Sequence, residues 1–251
     1  MRWNLKNNGI PKGLVPLAGV GRAHMHMGRA PRGGKGMDKE QCWELLMEKM
    51  DNDGCPVCEL MDFRINESIE NFLYESVNNP HIRYKIEKTN GFCNHHTHMM
   101  LRKGDPLSHA ILYQDLMSLV ISNIDNPKNK IKYNNHAGCM FCERERDNEY
   151  DYTKAFLEFF ENSKFSDKYK KSGILCVPHL TTIKNIKFTN KKILKEIIDT
   201  TLEKYRILNS HLSEIKRKSD YRFTDEEWTD SEKEAWTKAV KIFGGLEGIN
   251  R

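Results

Sequence analysis

Two segments, Gly54-Cys-Pro-Val-Cys58 and Gly138-Cys-Met-Phe-Cys142, repeat one Gly-Cys-x-x-Cys pattern, with Cys139 lying 84 residues beyond Cys55 (139 − 55). Each is followed by a Cys-x-x-His at a nearly equal interval: 35 residues from Cys58 to Cys93 (93 − 58), and 34 from Cys142 to Cys176 (176 − 142). The agreement extends past these residues. Glu59 and Glu143 follow the second cysteine of each copy, Phe72-Leu73 and Phe156-Leu157 stand at the same offset from the first, and Phe92 or Leu175 precedes the third. Repetition at this level reads as an internal duplication.

The residue types name the chemistry. A Cys-x-x-Cys turn places two sulfurs on one ion, and a distant pair completes a tetrahedron; three thiolates and an imidazole form a recognised closed zinc set. Taken in chain order, Cys55, Cys58, Cys93 and His96 make a first site, and Cys139, Cys142, Cys176 and His179 a second, giving two zinc ions per chain. An iron–sulfur cluster also suits thiolates with an imidazole and is the alternative cofactor. His95 competes with His96, which is preferred because it aligns with His179; His98 reads as a surface residue. His136 is a substitute ligand for the second site, and Cys42, on an apolar helical face, reads as a buried thiol. With four protein ligands no coordination position is open to a substrate, so the role expected of the ions is structural. Cys55-Pro-Val-Cys58 also looks like a thiol-exchange motif, but no strand precedes it.

The chain of 251 residues is polar, with 38% hydrophobic residues and a mean hydropathy of −0.70. Nothing approaches the roughly 18 uninterrupted apolar residues of a membrane span. The richest stretch, Ala110–Ile121, is broken by Gln114, Asp115 and Ser118 and reads as a buried helix. Seven cysteines without a compact apolar leader suggest thiolates on metal in a reducing, cytoplasmic setting rather than disulfides. The net charge of +5 is unevenly spread: residues 1–37 hold seven basic residues and no acidic one, leaving −2 for the remainder (33 Lys+Arg against 35 Asp+Glu). That body attracts phosphate poorly, so nucleic acid is not the expected partner. Residues 1–37 read as a disordered basic extension or a mis-assigned start, with folding expected from Met37 onward.

From there the helical period dominates. Helices are expected over Asp38–Met50, about Glu59–Val77, Asp105 to about Ile124, about Glu143–Asn162, and Lys192–Lys216. A last helix, opened by a capping box at Thr224–Glu227 or Ser231–Glu234, is expected to turn Trp236, Val240 and Phe243 inward and to end at Gly244-Gly245. The fold class expected is all-α, mainly helical, with two pseudo-repeated metal-knuckle lobes. Residues 38–126 form the first lobe, and 127–251 the second lobe plus the C-terminal helices, packed as one domain.

CPVCEL, YESVNNP, GFCNHHTHMML, GDPLSHAILYQDL, the second CxxC, LCVPHL and the tail SDYRF resemble a bacterial family of unknown function with duplicated CxxC…CxxH motifs, over residues about 38–245. The resemblance implies a cytosolic bacterial protein and supplies no activity. No glycine-rich phosphate loop and no HExxH is present, so the sequence decides neither for nor against an enzyme. The function expected is a cytoplasmic metal-binding protein with two structural Cys₃His zinc sites and a binding or scaffold role toward a protein or small-molecule partner. The alternatives are an iron–sulfur or thiol-dependent redox enzyme and a zinc-ribbon-like nucleic-acid-binding protein.

Overall fold

The computed structural model describes residues 37–248 except 53, 127, 129, 131–137 and 224. The expectations for residues 1–36, His136 and Thr224 therefore lie outside the described residues. The described residues belong to one compact unit, and every regular element among them is helical.

Among the described residues ten α-helices follow one another: α1 Lys39–Lys49, α2 Pro56–Asn71, α3 Pro80–Lys88, α4 Asn94–Lys103, α5 Pro106–Asp125, α6 Met140–Phe159, α7 Ser163–Lys171, α8 Val177–Asn185, α9 Lys191–Lys218 and α10 Asp230–Gly244. A π turn, Phe72–Ser76, prolongs α2. Local chemistry sets the starts. Asp38, Asn79, Asp105, Asn162 and Asn190 each turn a side-chain oxygen to an orphan N–H of the first turn, and Pro80 and Pro106 occupy positions that need no N–H. The helix predicted over Glu59–Val77 starts three residues earlier, at Pro56. The short helices α3, α4, α7 and α8, of nine or ten residues, were not expected from the sequence, being too brief to show a period.

Two apolar clusters form the core. One joins Leu46 of α1 and Met50 just after it, Val57 and Leu60 of α2, Phe156 and Leu157 of α6, Phe165 and Tyr169 of α7, and Ile197 of α9. The other joins Ile65, Ile69 and Phe72 with Ile86, Phe92, Met100, Leu112 and Phe141. Helices α2 and α6, packed on each other, run between these clusters in opposite senses. The start of α2 sits with the end of α6, and the start of α6 with the end of α2. That crossing decides which motifs can meet.

Three expectations are corrected. Trp236, Val240 and Phe243 of α10 are exposed, at 57%, 68% and 77%, while Ala235 and Ile242 are buried. Apolar spacing marks two neighbouring stripes on α10, and packing against α8 and α9 selects the other one. The capping box is Thr229 with Glu232, since Thr229 accepts from the N–H of Glu232 and the Glu232 carboxylate receives the N–H of Thr229. Helix α5 is not a buried helix: only Ser108 and Leu112 are buried, and Leu107, Met117, Ile121 and Ile124 face outward. Among the described residues no helix is long and apolar enough to cross a membrane.

Candidate metal centres

All four cysteine motifs open helices. Cys55 and Cys139 are the N-caps of α2 and α6, with Cys58 and Cys142 in their first turns. Cys93 and Cys176 cap α4 and α8, where their sulfurs accept the N–H of His96 (3.5 Å) and His179 (3.4 Å). Helix N-termini carry a partial positive charge, which favours thiolate over thiol at these places. Gly138 supplies the turn into Cys139 with φ of 82°, and a Cβ there would stand 3.0 Å from Thr89 Cγ2. Glycine meets both conditions, the left-handed backbone and the close approach.

The eight residues gather into two buried groups of four, but not as chain order suggested. Cys55 and Cys58 meet Cys176 and His179; Cys93 and His96 meet Cys139 and Cys142. Each group thus combines the CxxC of one half with the CxxH of the other. The correction has a plain cause in α2 and α6, whose opposite senses carry each CxxC away from the nearest CxxH in sequence and toward the distant one. His96 is the member of its group; His95 stands beside it, ring centroids 5.1 Å apart, and His98 is exposed. Cys42 is buried outside both groups, and burial pushes its thiol up to about 11 against the opposing charge of Arg64.

The donor atoms are close. Cys58 Sγ lies 3.6 Å from Cys176 Sγ, and His179 Nδ1 lies 3.5, 3.2 and 3.2 Å from the sulfurs of Cys55, Cys58 and Cys176. In the second group Cys142 Sγ lies 3.6 Å from Cys93 Sγ, and His96 Nδ1 is 3.2, 3.6 and 3.4 Å from Cys93, Cys139 and Cys142. Within each group every donor lies within 4.8 Å of every other. Such groups could hold a metal ion.

Electrostatics in the two groups run parallel. Burial resists the Cys139 thiolate, yet the bond from His96 and neighbouring backbone N–H groups outweigh it and bring the thiol down to about 6. Burial likewise resists the His96 imidazolium, but the nearby Cys139 sulfur and the negative charge of Glu145 lift it to about 10. Cys142 is pushed up, first by burial and then by the charge of Cys139. In the other group Cys55 is lowered in spite of burial through Cys176, Cys58 and His179, while His179, also against burial, rises to about 10 beside Cys55. Cys58 and Cys176 are both raised, chiefly through their bonds to neighbouring sulfurs. In each group the charge of one sulfur works against a second: Cys139 raises Cys142, and Cys55 raises Cys58 and Cys176.

Supporting residues escaped the sequence reading. Leu175, just before Cys176, gives its N–H to Tyr169 Oη (3.2 Å), and its carbonyl accepts from Tyr205 Oη (2.8 Å), so α7 and α9 fix the approach of Cys176. Glu145 Oε1 stands 3.3 Å from His96 Nε2, and Glu149 Oε1 stands 3.6 Å from His179 Nε2. One signal was available: counting 84 back from these glutamates gives Met61 and Ile65, so α6 departs from α2 at two matched inward positions.

A family model described as "Family of unknown function (DUF6062)" matches residues 42–247. An "Uncharacterized 23.9 kDa protein in xynA 3'region" of Caldicellulosiruptor sp. (strain Rt8B.4) is 35% identical over 207 residues, which are 80% of this chain and the whole of that protein. No solved structure matches the chain.

Proposed function

The chain belongs to this family of unknown function, and from its two thiol–imidazole groups we propose that it is a cytoplasmic zinc protein whose two Cys₃His ions hold a helical frame for binding a protein or small-molecule partner. The donor spacing carries the reading. A tetrahedral zinc with bonds of about 2.3 Å to sulfur and about 2.0 Å to nitrogen sets edges of about 3.8 Å between sulfurs and about 3.5 Å from sulfur to nitrogen. The Cys58–Cys176 and Cys93–Cys142 edges are 3.6 Å, and those from sulfur to Nδ1 are 3.2–3.6 Å. Donors within 4.8 Å of one another leave room for one ion and favour it over a cluster that interposes several irons and bridging sulfides. When bound, zinc supplies no redox chemistry and, with four protein donors, no open position; its contribution is cohesion.

Each ion in this reading joins two helix N-termini from opposite halves of the chain. An apparent ion-binding term of roughly 10–16 kcal/mol is as large as a whole domain's stability of about 5–15 kcal/mol. Burial weighs against a thiol-exchange catalyst: Cys58 is 1% exposed and Cys93, Cys139 and Cys176 are 0%. No disulfide joins the seven cysteines. The recurring order of CxxC helix, Asn-capped short helix, CxxH helix and long helix supports a duplicated unit. Elemental analysis of protein purified without added metal tests the reading, with two zinc ions per chain expected. A brown, iron-rich preparation, or a folded protein without metal, would overturn it.

A further inference from the structure

The two ligand histidines turn their outer nitrogens to one helix. Glu145 faces His96 and Glu149 faces His179, so two glutamates one turn apart on α6 serve different groups. Helix α6 nevertheless gives its cysteines, Cys139 and Cys142, to only one of them. Glutamates on a helix flank ordinarily reach for water; these side chains are 15% and 26% exposed and lie against the imidazoles. His96 Nε2, His179 Nε2 and Glu145 Oε1 are buried and form no hydrogen bond among the described residues. Buried polar atoms of this kind need a partner.

An ion provides the condition for one. With Nδ1 turned to the sulfurs, a bound histidine carries its proton on Nε2, and the carboxylate opposite can accept a hydrogen bond from that N–H. The present gaps of 3.3 and 3.6 Å then need to close by only a few tenths of an ångström. We propose that Glu145 and Glu149 are positioning carboxylates, and that they make α6 a strap through which filling either site tightens the other. The inference rests on the metal reading given above. It also accounts for the asymmetry of the two halves: α2 has Met61 and Ile65 where α6 has the glutamates, so both histidines are oriented from one side. Glu149 lies seven residues, about two turns, beyond Cys142 on one continuous helix (149 − 142). Fixing Glu149 against His179 therefore orders the segment that presents Cys139 and Cys142.

The test uses the full chain loaded with zinc, compared with E145Q and E149Q, which keep the side-chain shape. Stepwise chelator competition reads the affinity of each ion, and NMR of the imidazole Nε2–H protons reads the hydrogen bonds. E149Q is expected to weaken the ion on Cys55, Cys58, Cys176 and His179 about 10- to 100-fold, to shift the His179 proton, and to lower the affinity of the other ion by a smaller factor. E145Q should do the converse, shifting the His96 proton. If a glutamine variant fails to fold, the aspartate variant retains the charge and is read in its place. A parent protein with two ions whose variants hold both within twofold, with neither proton moved, overturns the strap alone. A parent that binds no metal overturns the metal reading and the strap together.

Discussion

Replacing Cys55 with serine removes one sulfur from a group completed by Cys176 and His179, more than a hundred residues away. The crossed pairing makes an unusual demand on the second substitution. Cys176→Ser in the same chain strikes the group already broken, so it should cost only about 1 kcal/mol more, the scale of one small buried group. Cys93→Ser strikes the intact group and should remove a second ion, with an apparent loss of roughly 10–16 kcal/mol. Native mass spectrometry reads the outcome as ions per chain: one for C55S, one for C55S/C176S and none for C55S/C93S. Pairing in chain order demands the reverse, with C55S/C93S keeping one ion and C55S/C176S none. Should the serine variants not fold, mild oxidation of chelated wild type and mass mapping gives an independent measurement. Cys58–Cys176 and Cys93–Cys142 bridges are expected, since each pair of sulfurs lies 3.6 Å apart. Cys58–Cys93 and Cys142–Cys176 bridges would refute the crossed arrangement.

Loading zinc at Cys55, Cys58, Cys176 and His179 at pH 7 should release about three protons, two from the raised thiols Cys58 and Cys176 and one from the raised imidazole. Protons compete with the ion, so affinity falls as pH falls, by about three logarithmic units per pH unit near neutrality; calorimetry in buffers of different ionisation enthalpy, giving no proton release, would contradict this. Gly138→Ala forces a side chain into positive φ and against Thr89, and should destabilise the loaded protein by about 1–2 kcal/mol in chemical denaturation. Tyr205→Phe leaves the Leu175 carbonyl without its hydroxyl donor, which should cost about 0.5–1.5 kcal/mol and hasten zinc loss to chelator from the Cys176 group; unchanged release would place Cys176 by other means.

The eight residues that cluster were legible because two short motifs recur at matched spacing, and spacing survives in a sequence. Their partition was not legible. Both halves contain the same donor set at intervals of 35 and 34 residues, so nothing in the chain distinguishes pairing within a half from pairing across halves. Only the opposed run of α2 and α6 does. The exposed faces of α5 and α10 failed for a related reason: apolar residues at helical steps define a stripe, and the neighbouring helices determine which stripe is covered. Glu145 and Glu149 were lost among 35 acidic residues because nothing in composition says which carboxylates face inward. The helix starts were legible almost to the residue at Asp38 and Asp105, where a short polar side chain before the first turn is itself the cause.

Crossing has a temporal side as well. The closure of Cys93 on Cys142 spans 49 residues and lies wholly inside the closure of Cys58 on Cys176, which spans 118. Chain entropy alone makes the outer ring harder to close by about 0.8 kcal/mol. Synthesis from the N-terminus also delivers the last inner donor, Cys142, well before Cys176 and His179 leave the ribosome. Under the metal reading proposed above, the inner ring would take its ion while the outer one still lacks half its donors, which gives assembly an order in which the late-arriving C-terminal half closes the outer centre.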